Sequence, residues 1–217
     1  MNNHFVQSQF ESELTDNILP YWLKTAPDHE NGGFFGAVYN DGRIDNNVPR
    51  TAVTCARILW TFSHASVQYQ KEEYLQIAQR AFDYLNSAFW DKEYQGLFWS
   101  VDRQGNPVSD RKQYYAQAFG IYGYSEFFQA TQDQASLERA IQLYHLVEKH
   151  ARDPQYGGYI EGSARDFTPL ADMRLSPKDM NCKKSMNTLL HLIEAYTGLF
   201  SIWNADTLRS DLQTLLS

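Results

Sequence analysis

A glycine- and aromatic-rich segment occurs three times along this chain at nearly even spacing. The copies span residues 31–38, 94–101 and 156–162, and their glycines Gly33, Gly96 and Gly158 are 63 and 62 residues apart. Glycine favours a tight turn, and the aromatic and β-branched residues after it favour a short strand. Self-similarity at a fixed period of this length indicates a repeat architecture in which one supersecondary unit recurs. Turn residues at 41–42 and 104–106 predict that the first two strands continue into short β-hairpins.

Between these segments, apolar residues recur with the period of an α-helix. The predicted helices span residues 7–26, 52–68, 74–90, 111–131, 136–151, 186–203 and 208–216, and Pro20 is expected to kink the first. The helices at 7–26, 74–90 and 136–151 carry a charged face, whereas those at 52–68, 111–131 and 186–203 have few charges on any face. Helices that are apolar nearly all round are buried. The pattern therefore predicts an outer helix, a hairpin and an inner helix three times, followed by one more outer helix.

This alternation predicts an all-α toroid of helical hairpins with short β-hairpins in its loops. A closed ring of six such units would need about 350–400 residues, and these 217 residues provide about three and a half units. We therefore expect one domain, residues 1–217, that forms part of a ring. The cut edge would leave apolar side chains without cover, so self-association or a monomer of low stability is expected.

Composition and charge narrow the functional class. The net charge of −7 argues against a nucleic-acid binder, which needs a basic surface. No run of 18 apolar residues is present, so no membrane span is expected, and the first residues lack the features of a signal peptide. Cys55 and Cys182 suggest neither a metal site nor a disulfide framework. A cytoplasmic protein with free thiols and no metal or cofactor is the expectation, and the 15% of aromatic residues includes the kind of ring on which sugars stack.

Four segments, at 57–63, 90–94, 110–119 and 172–197, resemble the N-acylglucosamine 2-epimerase superfamily, specifically its cellobiose 2-epimerase branch. The resemblance extends over nearly all of the chain but covers only the N-terminal half of the family's (α/α)6 barrels. It implies an incomplete (α/α)6 toroid from a cofactor-free enzyme of sugar metabolism. Such an enzyme opens a reducing-end sugar, removes the C2 proton, and returns a proton to the opposite face through an enediol-like intermediate. Some relatives isomerise aldoses to ketoses instead.

The resemblance also implies which residues contact the sugar. Arg57 matches an arginine that contacts sugar oxygens, and Tyr115 matches a hydrogen-bonding tyrosine of the pocket. Asn187 and His191 match an asparagine and a histidine of the third inner helix, where their i,i+4 spacing puts both on one face. The matched histidine supports ring opening and orientation, whereas the two histidines usually given the C2 proton transfers lie in the family's C-terminal half. A further histidine that is common in the family is Leu189 here. We therefore expect the isolated chain to be inactive or weakly active.

Weaker signals concern the neighbourhood of this pocket. Glu194 lies one turn beyond His191 and is a candidate for orienting its ring. The long polar segment 163–185 is expected to cover the pocket mouth, with Asp172 and Arg174 as anchors. The remaining histidines, which have no metal-ligand company, are expected to be structural or solvated: His29, His64, His145 and His150.

Three functional interpretations stay open on the sequence. The first is the N-terminal half of a sugar 2-epimerase that acts on a monosaccharide or disaccharide, with cellobiose, mannose and N-acylglucosamine as alternative substrates. The second is one part of a two-chain or dimeric epimerase or isomerase, completed by a homodimer partner or by a separately encoded C-terminal half. The third is a non-catalytic sugar-binding module. The interpretations differ in whether the chain is itself an enzyme.

Overall fold

The computed structural model describes the backbone of residues 3–216 and the side chains of residues 6–216. Its α-helices are α1 (Asn3–Ser12), α2 (Leu19–Thr25), α3 (Ala52–Tyr69), α4 (Glu72–Tyr84), α5 (Tyr114–Thr131), α6 (Gln134–His150), α7 (Met186–Ile202) and α8 (Asp206–Leu216). Its short strands are β1 (Arg50–Thr51), β2 (Ser100–Val101), β3 (Pro107–Ser109), β4 (Lys112–Gln113) and β5 (Gly162–Ser163). Every predicted helix has a counterpart, and the first is divided in two.

The division of the first helix lies next to Pro20. A π-helical turn, Glu13–Ile18, separates α1 from α2, and Pro20 occupies the first turn of α2. Proline has no N–H to donate to the residue four positions earlier, so it is tolerated at the start of a helix and not within one. A second π-helical turn, Leu85–Phe89, ends α4.

The three inner helices α3, α5 and α7 pack side by side, and each is covered by the helix that follows it. α4 packs on α3, α6 on α5 and α8 on α7. Close approach of α3 and α5 depends on Gly123, because a Cβ there would lie 2.8 Å from the carbonyl oxygen of Ala56. The buried side chains form one continuous cluster that includes all three inner helices. The described helices include none that is both long enough and apolar enough to cross a lipid bilayer.

Each glycine-aromatic segment closes the same backbone turn. The N–H groups of Asp28, Asp91 and Asp153 donate to the carbonyl oxygens of the repeat glycines at 3.1, 2.9 and 2.9 Å. One carboxylate oxygen of each aspartate then accepts two N–H groups from the residues just after it. Gly33 has a φ of 60° and a Cβ there would lie 2.4 Å from the ring of Tyr84, so glycine is required.

A cation binds each of these aspartates. Arg50 pairs with Asp28, Lys112 Nζ lies 2.9 Å from Asp91 Oδ2, and Lys184 Nζ lies 2.6 Å from Asp153 Oδ2. Each cation stands two residues before the first residue of an inner helix, so each pair fixes the start of that helix to the turn behind it. The side chains of the three pairs are 5% and 2%, 0% and 0%, and 33% and 20% exposed, cation first.

The strands join successive repeats. β1 pairs antiparallel with β2, and β4 pairs antiparallel with β5, so the strand before one inner helix bonds to the hairpin of the next unit. A third hairpin, closed by a bridge between Ser163 and Pro169, follows β5. The sequence gives no sign of its turn, because Phe167 (φ 67°) takes the left-handed position that glycines occupy in the first two hairpins. The Phe167 ring stacks on His150 with centroids 3.8 Å apart.

Candidate functional site

Residues of the three inner helices contact one another at matching levels along one face. The helices begin at Ala52, Tyr114 and Met186, so Arg57, Phe119 and His191 stand at the same distance from each start. The guanidinium carbon of Arg57 lies 5.5 Å from the Phe119 ring centroid, and the rings of Phe119 and His191 are 4.6 Å apart. The structure thus brings two predicted site residues to either side of a phenylalanine that the sequence did not single out.

The other two predicted residues lie one turn closer to the helix starts. The ring of Tyr115 meets that of His191 edge-on, with centroids 4.9 Å apart, and it is half-buried. Asn187 is exposed on α7, one turn before His191. Arg57 is exposed as well. The candidate site therefore combines a guanidinium, a phenol, an amide and an imidazole, all reachable by a ligand on the face of the inner helices.

Glu194 contacts His191 as the sequence suggested. His191 Nδ1 and Glu194 Oε2 are 2.7 Å apart. An ionised carboxylate only accepts hydrogen bonds, so this contact places a proton on Nδ1. The Nε2 atom of the neutral ring is then left as an acceptor for a ligand.

Below this level the inner helices present an aromatic stack. Trp60 lies parallel to Tyr122 at 4.9 Å and to His64 at 5.3 Å. His64 Nδ1 is 2.9 Å from Glu126 Oε1. Burial, helped by the charges of Glu194 and Glu126, raises the pKa of Tyr122 to about 12, so its phenol stays protonated at neutral pH.

The segment 163–185 is tied down by residues other than the expected anchors. Asp172 and Arg174 bind each other, with Nε–Oδ1 and Nη2–Oδ2 distances of 2.9 and 2.7 Å, and both are partly or fully exposed. The expectation that they anchor the segment is therefore wrong: a carboxylate two residues away satisfies the guanidinium locally. The side-chain amide of Gln113 instead donates to the carbonyl oxygens of Met173 and Arg174. Arg165 donates twice to Asp91, at 2.9 Å each.

Glu161 follows the third glycine-aromatic segment, which made it a weak candidate for the barrel mouth, and in the structure it positions the start of α7. Its Oε1 accepts the N–H of Ser185 and its Oε2 accepts the hydroxyl of Thr188, both at 2.7 Å, while the residue is 5% exposed. These bonds satisfy donors at the N-terminus of the helix that carries Asn187 and His191. The sequence signal was slight, since Glu161 is 24 residues from Ser185 and only the fold brings them together.

The donor set determines which ligands this face can bind. Within residues 6–216, no three His, Cys, Asp or Glu side chains lie close enough together to hold a metal ion. Arg57 offers a fixed fork of N–H donors that suits oxygens on which negative charge accumulates. The half-buried ring of Tyr115 lies beside those donors and adds a hydroxyl group. A ligand rich in hydroxyl groups fits both features.

Comparison with known proteins shows the family of this chain. A family model described as N-acylglucosamine 2-epimerase (GlcNAc 2-epimerase) matches residues 33–197. The chain is 41% identical over 214 residues to a cellobiose 2-epimerase of Bacteroides fragilis, covering 99% of this chain and 55% of that relative. It is 35% identical over 216 residues to a cellobiose 2-epimerase of Dictyoglomus turgidum, covering 100% and 55%.

Solved structures show the same half-length match. The cellobiose 2-epimerase from Bacillus thermoamylovorans B4167 superposes with a TM-score of 0.92 at 38% identity, covering 99% of this chain and 55% of that one. A D-mannose isomerase superposes with a TM-score of 0.78 at 22% identity, covering 98% and 51%, which shows a shared fold. The chain spans about half the length of the relatives it matches, so its helical arc is an incomplete (α/α)6 toroid. The chain belongs to the N-acylglucosamine 2-epimerase family.

Proposed function

We propose that this chain provides one half of the active site of a sugar 2-epimerase that acts at C2 of a reducing-end aldose. A cellobiose-type disaccharide is the first candidate substrate, because the relatives at 41% and 35% identity are cellobiose 2-epimerases. The observation that carries the proposal is the convergence of Arg57, Tyr115 and His191 around Phe119 on the open face of the inner helices.

Epimerisation at C2 sets definite chemical demands. The C2 proton leaves, charge develops on the O1 and O2 oxygens of an enediol-like intermediate, and a proton returns to the opposite face. This sequence needs an acid–base group on each face of C2 and donors around the two oxygens. In our proposal Arg57 donates to O1 and O2, and Tyr115 and Asn187 hold hydroxyl groups of the sugar. His191, oriented by Glu194, accepts the O1 hydroxyl proton through Nε2 as the C1–O5 bond breaks, and O5 takes up a proton from solvent water.

This chain alone lacks the two proton-transfer groups that the family resemblance assigns to the other half of the barrel. We therefore expect it to bind sugar without turnover. The test is to incubate the pure chain with cellobiose or with mannose in D₂O and to follow deuterium exchange at C2 by NMR. No exchange above that of buffer is expected, and exchange at an ordinary enzymatic rate would show that the chain is a complete catalyst.

Sugar binding has its own test. Arg57 is exposed, so Arg57→Ala should leave the fold intact. Loss of hydrogen bonds from a charged donor should weaken cellobiose binding by about 1.5–3 kcal/mol, measured by NMR titration. The affinity of Arg57→Lys for cellobiose should lie between those of the wild type and Arg57→Ala, because an ammonium keeps the charge but lacks the guanidinium fork. Equal affinity of all three proteins would remove Arg57 from the site.

Two other interpretations remain as proposals with distinct outcomes. A two-chain or dimeric epimerase or isomerase predicts activity only when a partner completes the ring. A non-catalytic sugar-binding module predicts saturable binding that never leads to turnover, even in the completed ring.

A further inference from the structure

Arg111 is a half-buried residue whose guanidinium forms no ion pair with the carboxylates of residues 6–216. It stands three residues before the first residue of α5, and its Nε atom is buried without a hydrogen-bond partner. Burial lowers the pKa of this guanidinium, and the charge of Asp172 acts in the opposite direction. A guanidinium stays charged near neutral pH, and a buried donor without an acceptor costs free energy. Arg111 therefore has the properties of a binding group that takes its acceptor from a ligand.

The carboxylate whose charge acts on Arg111 is already occupied. Both oxygens of Asp172 accept hydrogen bonds from Arg174, at 2.9 Å from Nε and 2.7 Å from Nη2. One carboxylate thus stands against two guanidinium groups, which leaves one positive charge unmatched. A neutral hydroxyl group accepts a hydrogen bond without matching that charge, whereas an oxyanion does both.

The ring of Trp99 determines where the guanidinium lies. The guanidinium carbon of Arg111 is 5.6 Å from the centroid of the Trp99 ring. Trp99 is half-buried, and its carbonyl oxygen accepts the N–H of Ala52, the first residue of α3, at 3.2 Å. The attraction of a cation to an aromatic ring is electrostatic and needs no acceptor atom, so the guanidinium keeps its donors for a ligand. Trp99 thus holds Arg111 between the starts of α3 and α5.

Arg111 points away from the buried aspartate–lysine pair of the second repeat. Successive side chains along an extended strand point to opposite sides, and Lys112 of β4 points to Asp91. Arg111 before Lys112 and Gln113 after it therefore point to the other side. There the side-chain amide of Gln113 donates to two carbonyl oxygens of the segment 163–185. The free guanidinium thus lies on the side of the strand that this segment crosses.

The candidate sugar site begins a few residues further along the chain. Tyr115 is the second residue of α5 and follows Arg111 by four positions, so at most about 14 Å separates their Cα atoms. The rings of Tyr115 and His191 are 4.9 Å apart. A two-unit sugar whose reducing end contacts Tyr115 and His191 is long enough to bring its second unit to Arg111.

We propose that Arg111, held by Trp99, binds an oxyanion on the second unit of the sugar, so that the site binds acidic disaccharides more tightly than neutral ones. A uronic acid carboxylate and a phosphate ester both supply oxygens that match the guanidinium fork. The reducing-end unit stays neutral and keeps the hydroxyl groups that reaction at C2 requires. This inference rests on the proposed function, because it places the reducing end at Tyr115 and His191.

Cellobiose and two acidic analogues test the inference. In one analogue, C6 of the non-reducing unit is oxidised to a carboxylate; in the other, the hydroxyl group on that carbon carries a phosphate. Each sugar is titrated into the full chain and followed by NMR. An acidic analogue should bind about tenfold more tightly than cellobiose, and the ratio should fall as salt screens the charges. A preference for one analogue alone identifies the oxyanion, and equal affinity for all three sugars would overturn the inference.

Three variants locate the oxyanion. Arg111 makes no hydrogen bond through Nε, so Arg111→Gln should fold, as judged by circular dichroism, and should abolish the ratio of the two dissociation constants. Arg111→Lys keeps the charge without the fork and should retain part of that ratio. Arg103→Gln is the matched control, because Arg103 is exposed at the turn of the second hairpin and the ratio should be unchanged.

A second readout uses the wild type alone. The ¹⁵N and ¹H chemical shifts of the Arg111 Nε–H group should change when an acidic analogue is added, because this buried donor gains an acceptor. A preference that survives Arg111→Gln, or one that leaves these shifts unchanged in the wild type, would place the oxyanion elsewhere and overturn the inference.

Failure of this inference is distinguishable from failure of the proposed function. Cellobiose binding that depends on Arg57, without a preference for the acidic analogues, overturns the inference alone. A preference that depends on Arg111, in a chain whose Arg57→Ala variant binds every sugar as the wild type does, overturns the proposed reducing-end site and leaves Arg111 as an oxyanion site. Absence of binding by all three sugars overturns both.

Discussion

At the scale of single residues, the contact between Glu194 and His191 selects the ring nitrogen that faces the candidate ligand. The carboxylate holds the proton on Nδ1, across 2.7 Å, and leaves Nε2 as the acceptor. Both residues stand on α7, so this orientation needs nothing from other helices. The rings of Tyr115 and Phe119 pack against the imidazole ring of His191.

We predict that Glu194→Ala changes the tautomer of His191. Without the carboxylate, the neutral ring should shift from the Nδ1–H form toward the Nε2–H form, because no side chain accepts from Nδ1 any longer. The measurement is the pair of ¹⁵N chemical shifts of the His191 ring at alkaline pH. Glu194→Gln keeps an acceptor and should retain more of the wild-type pattern. Unchanged ¹⁵N shifts in the alanine variant would contradict the orienting role.

The family resemblance identified the residues of the candidate site from the sequence, but it did not predict the contacts between them. Arg57 and His191 are 134 positions apart, and Phe119 between them looks like one more apolar residue of an inner helix. Glu161 could not be linked to the start of α7, since only folding brings it to Ser185 and Thr188. Contacts between repeats leave no local pattern in the sequence, whereas a helix leaves its apolar periodicity there.

At the scale of elements, the same aspartate–cation pair occurs in three settings that differ in burial. The Asp91–Lys112 pair is fully buried and the Asp153–Lys184 pair is partly exposed. The helices themselves were predictable from their apolar period, with bounds close to those observed. The aspartate–cation pairs were not predictable from the sequence, because 21 to 31 residues separate each aspartate from its cation.

We predict that the cost of removing the cation follows burial. Lys112→Met leaves a buried carboxylate with Arg165 as its remaining cation, and should reduce the free energy of unfolding by about 3 kcal/mol. Lys184→Met removes the partly exposed copy and should cost about 1 kcal/mol or less. Urea denaturation of the two variants and the wild type provides the comparison. Equal losses would show that burial does not set the value of these pairs.

Acid should destabilise the protein through Asp91. Burial alone would raise the pKa of this carboxyl, but hydrogen bonds from Arg165 and Lys112 outweigh it and hold the pKa well below 3.8. The pKa is lower in the folded state, so the unfolded chain binds the proton first as pH falls. The free energy of unfolding contributed by Asp91 is therefore complete above about pH 4–5 and declines as the pH drops further.

Urea denaturation at pH 6 and at pH 3 tests this dependence. Asp91→Asn has no titrating group at this position, so its unfolding free energy should fall less between the two pH values. An equally steep fall in the variant would place the acid sensitivity elsewhere, for example at Asp153, whose pKa is lowered to about 2 chiefly by its hydrogen bond from Lys184.

At the scale of the whole molecule, the arc of inner and outer helices was predictable because the repeat period reports it directly. The closeness of contact between the inner helices was not predictable. It depends on Gly123, where a Cβ would lie 2.8 Å from the carbonyl oxygen of Ala56. Pairing between helices far apart in the chain is a property of the folded arc.

The two-chain alternative predicts that a partner completing the ring stabilises the chain by mass action. At a free partner concentration one hundred times the dissociation constant, the free energy of unfolding should rise by about 2.7 kcal/mol. Denaturation of the chain alone and mixed with the part of the Bacteroides fragilis relative that this chain does not cover measures the difference, which should grow with concentration. Leu190 is 51% exposed on α7, so Leu190→Asp should fold normally and gain less at the same concentration. An unfolding free energy that the added segment leaves unchanged would contradict the prediction.

The exposed apolar side chains at the start of α7 also bear on aggregation. Met186 is 76% and Leu190 51% exposed, and an exposed apolar patch promotes association between molecules. Lys183 and Lys184 precede these residues, and Lys184 is held by Asp153 and by the carbonyl oxygen of Gly157. The charge of Lys184 is thus matched by a carboxylate, and the exposed Lys183 is the charge beside the patch that opposes contact between identical chains.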